Sequence, residues 1–397
     1  MEKIEMVDLK GQYRKIENQV NDSVLKTIYS TNFINGPQVK NFQKHLESYL
    51  NVKHVIPCAN GTDALQIALM AIGLKPGDEV ITPNFTYAST VEVILLLGLT
   101  PVLVDIDIES FNIDISAIER AITKKTKAII PVHLFGQPAF MSEIINIAKE
   151  NKLYVIEDNA QSLGANYTYK DGLKKKAGTI GHIGTTSFFP SKNLGAYGDG
   201  GAIFTEDDDL ANTLRGIVNH GMYKRYYHDL VGVNSRLDSI QASILDIKLN
   251  YLDDYNKSRN DAASKYNERL KNHSDIVTPF STGEYDSHVF HQYTLRILNG
   301  KRDKLAKYLN ERDIPFGIYY PVPLHLQKAY KSDRYKESYF KVTNKVVQQV
   351  ISLPMHTELA DDQIDFITDQ ADACYVTIAR QPKTIDNTIE PREIKRI

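Results

Sequence analysis

Apolar and polar positions along this chain alternate in short blocks from about residue 50 to 205. Brief apolar runs at 54–57, 79–82, 102–105, 128–132, 154–157, 185–189 and 202–204 predict strands. Between them, apolar residues at helical spacing predict helices over 62–72, 115–122 and 141–150. Strand and helix in alternation argue for an α/β fold, a mostly parallel sheet covered by helices on both faces. The run Ala128-Ile129-Ile130-Pro131-Val132 is nearly all apolar, as a strand buried on both sides requires. In such sheets ligands sit beyond the carboxyl ends of the strands. Chemistry is therefore expected just after each apolar run.

Residues 206–275 read as helices, with Asp207, Asp208 and Asp209 at a helix start. The pattern over 236–272 predicts long helices joined near Asn256. Beyond 278–283 the pattern becomes that of a smaller α+β unit, with strands at 290–297 and 316–319 and helices near 301–311, 340–350 and 361–377. The expected organisation is a large domain over 1–250, a small C-terminal domain over 251–380 and a polar tail over 381–397.

Composition narrows the function. The chain has 397 residues, 42% hydrophobic and 24% charged, enough for two packed cores. A net charge of -2 offers no basic field, so no nucleic-acid partner is expected. The apolar run 91–99 is far short of the about 20 residues that span a bilayer, and no membrane partner is expected. The N-terminal residues are acidic and lack an apolar stretch, unlike a signal peptide. Cys58 and Cys374 give neither a disulfide framework nor a metal pair, so a cytoplasmic location is expected. The histidines show no metal-ligand spacing, and no metal is expected. Lys174-Lys175-Lys176, beside Asp171-Gly172, reads as a solvated charge run in a hairpin.

Two segments change the picture. Asp158 lies at the end of the run 154–157, within Glu157-Asp158-Asn159-Ala160-Gln161. Lys192 lies in Ser187-Phe188-Phe189-Pro190-Ser191-Lys192, ahead of a glycine-rich run from Gly195 to Gly201. A carboxylate at the end of a buried strand needs a cationic partner, and a plain Asp–Lys ion pair would supply one. Pyridoxal phosphate needs both groups: a lysine to hold it, and an acid on its ring nitrogen to keep it protonated as an electron sink. Asn60-Gly61-Thr62-Asp63-Ala64 follows a strand and opens a helix, so its free N–H groups can cradle a phosphate or simply cap the helix. Ser187 can add a hydroxyl to such a cradle, Gln161 a hydrogen bond to the ring's phenolic oxygen, and Tyr87 a flat face against the ring. Arg225 to His228 and Val233 to Asp238 form a basic, amide-rich segment suited to phosphates or carboxylates. Tyr319-Tyr320-Pro321-Val322-Pro323 reads as a rigid loop that can line a cleft. A P-loop, a G-x-S-x-G elbow, an H-E-x-x-H helix and a dinucleotide fingerprint are all absent from the sequence.

From Ile4 to Ala373 these motifs, in this order, resemble the DegT/DnrJ/EryC1/StrS sugar aminotransferases, fold-type I enzymes of pyridoxal phosphate. Phe33-Ile34-Asn35-Gly36-Pro37, Gly77-Asp78-Glu79-Val80, His133-Leu134-Phe135-Gly136-Gln137 and Asn234-Ser235-Arg236-Leu237-Asp238 complete the set. The resemblance implies a seven-stranded, mostly parallel sheet sandwiched by helices, and a homodimer with active sites at the subunit interface. It matches Lys192 to the Schiff-base lysine, Asp158 to the ring-nitrogen partner, Gln161 to the phenolic-oxygen partner and Tyr87 to the stacking aromatic. Gly61, Thr62 and Ser187 match the phosphate cradle, and Asn234 the residue that reaches the phosphate from the neighbouring subunit. It implies L-glutamate as donor, pyridoxamine phosphate as the alternate cofactor form, and a keto sugar on a nucleoside diphosphate as acceptor. The chain looks most like the branch that aminates C3 of UDP-2-acetamido-3-keto-glucuronic acid for surface polysaccharide or glycan assembly, where Arg236 would pair with the uronate. It departs from that branch in having Tyr319-Tyr320-Pro321 where His-Tyr-Pro is usual. That leaves a 3-keto-6-deoxy or 4-keto sugar on dTDP, UDP or GDP as the alternative acceptor. A sugar dehydratase of this fold would replace Lys192 by histidine, and a non-catalytic regulatory protein would have no use for Lys192, Asp158 and Gln161 together.

Overall fold

The structure, a computed structural model, describes residues 3–282, 284 and 286–380. The predicted strands form one seven-stranded sheet: β1 (His54–Cys58), β2 (Glu79–Pro83), β3 (Thr100–Val104), β4 (Thr126–Ile129), β5 (Tyr154–Asp158), β6 (Ile183–Ser187) and β7 (Gly201–Thr205). Their order across the sheet is β1-β7-β6-β5-β4-β2-β3. Neighbours from β6 to β3 run parallel, while β7 is antiparallel to both β6 and β1. All five residues of β2 are buried, as are four of five in β5, because helices cover both faces.

One antiparallel strand is what makes the site. In β6 and β7, Ser187 pairs with Gly201, and the ladder continues as Phe188 N–H donates to Gly200 O at 2.7 Å. The segment 188–200 is thus a hairpin loop standing on the carboxyl edge of the sheet. Cys58 of β1 pairs with the same Gly201, so the chain leaving β1 emerges beside Ser187. β5 pairs Asp158 with Thr185 one step away.

The predicted helices appear as Gly61–Ala71, Ile115–Ala121, Met141–Asn151 and Asp208–Ile217, the last capped by Asp207, whose carboxylate accepts from Asp209 N and Leu210 N. The long helical stretch breaks not at Asn256 but between Ser239–Leu249 and Leu252–Leu270. Asn256 sits inside the second helix because both ends of its amide are used there. It accepts from Asn193 Nδ2 at 2.7 Å and donates to Leu163 O at 3.2 Å. Two N-terminal helices, Leu9–Ser30 and Pro37–Leu50, were not anticipated; Phe42, Leu46 and Leu50 of the second are buried against Phe188 and Leu237.

The C-terminal residues build a second core around Tyr266, Tyr293, Leu295, Ile351, Leu353 and Ile364, and Ile4 packs into it from the other end of the chain. Its sheet has strands Ile276–Val277, Tyr293–Ile297 and Val350–Leu353, all antiparallel. The expected strand over 316–319 is absent; only Gly317 bridges Ser352, and the chain leaves the sheet after it. The expected helix over 340–350 is shorter, Lys341–Val346, and gives way to the strand Val350–Leu353. The expected tail over 381–397 lies outside the described residues. Lys176 is not a solvated charge: it donates to Gly164 O at 3.1 Å, its amine lies 4.9 Å from the centre of the Tyr49 ring, and burial lowers its pKa. Lys174 pairs with Asp286.

Asp105, at the end of β3, ties the two units together. Its carboxylate accepts from Val342 N at 2.9 Å, Thr343 N at 2.8 Å and Thr343 Oγ1 at 2.7 Å, capping the helix Lys341–Val346 from across the fold. Asp105→Ala leaves those donors without their acceptor. The expected cost is about 1–3 kcal/mol, read as a lower urea midpoint for unfolding.

Candidate active site

Five loops converge at the carboxyl edge: those after β1, β2, β4, β5 and β6. Asp158, 5% exposed, closes β5. Its backbone stays in the sheet, donating to Pro131 O at 2.9 Å and accepting from His133 N at 3.0 Å. Its carboxylate is held at both oxygens: Oδ1 accepts from Ala160 N at 3.2 Å and Oδ2 from Thr90 Oγ1 at 3.0 Å. Burial raises the pKa of this acid, while the Ala160 N–H, the Thr90 hydroxyl and the Lys192 amine oppose that rise.

Lys192, half-buried in the hairpin loop, lies close enough to Asp158 for each to act on the other's charge. Burial lowers its amine to about 8, against a smaller upward pull from Asp158. The loop that carries it is fixed along its length. Lys192 N donates to Phe189 O at 2.8 Å and Ala196 N to Phe188 O at 2.8 Å. Asn193 Nδ2 donates to Asn256 Oδ1 at 2.7 Å and Val289 O at 2.9 Å. Lys248, 1% exposed, donates from Nζ to Gly195 O at 2.6 Å.

Gln161, 8% exposed, accepts from Phe135 N at 2.7 Å and donates from Nε2 to the Tyr320 hydroxyl at 3.2 Å. Its amide therefore already joins the loop after β4 to the loop of the C-terminal unit, and its second Nε2 hydrogen is left for a ring oxygen. Tyr320 lies against Phe85 with ring centres 5.8 Å apart and against Tyr87 at 6.4 Å. Tyr87 itself is 60% exposed, so its ring presents a face. Tyr319 packs edge-on to Tyr320, 6.1 Å between centres.

The expected phosphate cradle is brought together by β1 and β6. Asn60 caps the helix Gly61–Ala71, its Oδ1 accepting from Asp63 N at 2.8 Å. The first N–H groups of the helix, those of Gly61 and Thr62, have no acceptor within it and carry the positive end of its dipole. A Cβ on Gly61 would fall 2.6 Å from Ser187 Cβ, so only glycine lets the helix start come this close to β6. Ser187 Oγ accepts from Phe189 N at 3.2 Å, which leaves its proton to donate. An anion site, an acid held at both oxygens, a lysine of lowered pKa and an aromatic face fit pyridoxal phosphate.

Asn234 and Arg236 are not drawn into this cluster by hydrogen bonds. Asn234 is exposed, in a segment pinned where Ser235 Oγ accepts from Ala59 N at 3.1 Å. Arg236 Nε is buried without a partner among the described residues. Three contributors have roles that the motifs did not reveal, although His133 and Glu157 lie within those motifs. Thr90 gave no signal beyond being a threonine two residues past Ala88. His133 and Glu157, both 0% exposed, meet at 2.8 Å. Ala139 N donates to His133 Nδ1, so the other ring nitrogen carries the proton to Glu157. Glu157 also accepts from Gly178 N, Ile180 N and Gly181 N at 2.9, 2.6 and 2.5 Å. Among the described residues no group of three or more His, Cys, Asp or Glu gathers as a metal site.

The amine of Lys192 should titrate near 8 in the cofactor-free protein, and Asp158→Asn, which removes the charge that raises it, should move it lower still. Competitive acylation across a pH series, read by peptide mass spectrometry, gives both values. A Lys192 that titrates like an ordinary surface lysine would contradict the burial argument.

Comparison with known proteins converges on the same chemistry. Residues 14–371 match the DegT/DnrJ/EryC1/StrS aminotransferase family. The chain is 45% identical over 370 residues to a pleiotropic regulatory protein of Geobacillus stearothermophilus, covering 92% of this chain and 97% of that one. It is 44% identical over 364 residues to UDP-2-acetamido-2-deoxy-3-oxo-D-glucuronate aminotransferase of Pseudomonas aeruginosa, covering 92% and 98%. The structure of NtdA from Bacillus subtilis with bound cofactor PMP superposes with a TM-score of 0.86 at 31% identity, covering 94% of this chain and 85% of that one. With this much of the chain matched, and with Lys192, Asp158 and the helix start at Gly61 assembled on one edge of the sheet, the chain belongs to the DegT/DnrJ/EryC1/StrS aminotransferase family.

Proposed function

We propose that this chain moves an amino group from L-glutamate to C3 of UDP-2-acetamido-3-keto-glucuronic acid, working as a homodimer in the cytoplasm. Residues 1–250 would hold the cofactor and residues 251–380 would carry the Tyr319-Tyr320 loop over it. Pyridoxal phosphate, when bound, supplies the electron sink and carries the amino group between donor and acceptor. Lys192 would hold it, Asp158 would face its ring nitrogen, and Gln161 its phenolic oxygen. Gly61, Thr62 and Ser187 would take the phosphate, and Tyr87 would cover the ring. An amine near 8 is close to balance at neutral pH, so Lys192 Nζ can both take a proton and return it, which amino transfer requires in each direction. Tyr320 packs on Phe85 and lies close enough to Asp158 to feel that carboxylate's charge.

The observation that carries the choice of acceptor is Arg236. Its guanidinium has no ion-pair partner among the described residues, and its Nε is buried without an acceptor. Such a group is matched by a carboxylate on the substrate. On the loops after β2 and β6 that build the site, Tyr87 and Phe189 leave 60% and 53% of their surface exposed. A second subunit would cover them and would bring its Asn234 toward the phosphate. Tyr319, in place of the usual histidine, favours a neutral keto sugar as the second reading. The regulatory name of one relative does not displace catalysis, because Lys192, Asp158 and Gln161 are all present.

Loaded with pyridoxamine phosphate, the protein should regain the pyridoxal absorbance when mixed with the UDP-linked 3-keto uronic acid. Arg236→Gln should lower kcat/KM for that acceptor about tenfold to a hundredfold and leave a neutral 3-keto analogue little changed. Equal losses for both acceptors would make Arg236 a phosphate or structural residue. Failure of the uronic acid to restore the absorbance, where a neutral sugar does, would move the enzyme to the second reading.

A further inference from the structure

Thr90 is fully buried and sits in the first turn of the helix Ser89–Leu96, three residues after Tyr87. The one loop after β2 therefore delivers both the aromatic face of the site and a hydroxyl aimed at its acid. The hydroxyl donates to Asp158 Oδ2 at 3.0 Å while the Ala160 N–H holds Oδ1 at 3.2 Å. A carboxyl group gripped at one oxygen can still rotate about its own axis; gripped at both, its plane is set. Each oxygen keeps further acceptor capacity for a cation in that plane. We propose that Thr90 is a positioning residue that keeps Asp158 ionised and oriented against the ring nitrogen of the cofactor. The inference rests on the reading of Asp158 as that nitrogen's partner.

The physical reason is a competition for one proton. Burial drives Asp158 toward its neutral form, and hydrogen-bond donors to the carboxylate oppose this. A donor that stabilises the carboxylate leaves the shared proton on the ring nitrogen, where the electron sink needs it. Without the Thr90 hydroxyl the carboxylate becomes more basic and draws that proton toward itself. Its second oxygen would also be left buried and short of a donor. A hydroxyl that merely satisfied itself in the core would affect stability and nothing else.

Thr90→Val keeps the shape and removes the hydroxyl; Thr90→Ser keeps the hydroxyl. Each holoenzyme is reconstituted with pyridoxal phosphate labelled with nitrogen-15 in the ring, and the nitrogen signal is read by NMR. The wild type should show a pyridinium signal. Thr90→Val should move it toward neutral pyridine and lower kcat about tenfold or more with KM for the keto sugar little changed. Thr90→Ser should restore both. Should the valine variant not fold, Thr90→Ala, which only removes atoms, gives the same reading. An unchanged pyridinium signal in the hydroxyl-less variant would overturn the proposal, as would a serine variant that fails to restore it. A wild-type protein that does not bind pyridoxal phosphate would instead overturn the reading of Asp158, and this is seen before either variant is compared.

Discussion

A buried carboxylate and a half-buried amine, close enough at the edge of a sheet for each to act on the other's charge, are the constraint on which the rest of this molecule depends. Taking either charge out of water costs several kcal/mol unless partners replace the solvent. Around Asp158 the replacement is specific: a backbone N–H on one oxygen, a threonine hydroxyl on the other and Lys192 nearby. Its neighbour Glu157 is a second buried carboxylate, yet the two need not repel across a shared site, since successive side chains of a strand point to opposite faces. Glu157 is bound by three backbone N–H groups of the 178–181 turn and by His133, and so fixes the chain that enters β6. One carboxylate builds the frame, and the other is left for chemistry.

The topology converts this pair into a site. Because β7 runs against β6, the chain must turn back at the carboxyl edge, and Lys192 rides on that turn. A parallel crossover there would have carried the chain away over a helix. The turn is not soft: Lys248, Asn193 and Asn256 hold it to the helices beneath, and a Cβ at Gly195 would strike Pro190 O at 2.2 Å. On the other side, Gln161 accepts from Phe135 N and donates to the Tyr320 hydroxyl, so one amide joins the β4 loop to the 319–323 loop of the C-terminal unit.

Much of this was legible because the signals are strong where chemistry demands unusual residues. The strands of the sheet were visible as apolar runs, and Asp158 and Lys192 stood out as charges in apolar or glycine-rich surroundings. What escaped depends on distant partners. Asn256 looks like a breaker in sequence but is a helix-interior hydrogen-bond partner for Asn193 and Leu163. Residues 316–319 have strand composition, yet only Gly317 finds a neighbour, in Ser352. Lys176 looked solvated until Tyr49 and Gly164 O were placed beside it. Thr90 has an ordinary neighbourhood in sequence and gains its meaning only from Asp158, a contact that spans 68 positions.

Lys192, half-buried on the loop, and Lys248, buried beneath it, both have amines lowered by burial, Lys192 to about 8 and Lys248 to about 7. Titration alone would favour Lys248 as the more reactive. Geometry favours Lys192, since Lys248 is 1% exposed and its amine is bound to Gly195 O. Incubation with pyridoxal phosphate, reduction with borohydride and peptide mapping by mass spectrometry decides between them. The account predicts a single phosphopyridoxyl group on the peptide containing Lys192. Label on Lys248, or no label on either lysine, would contradict it.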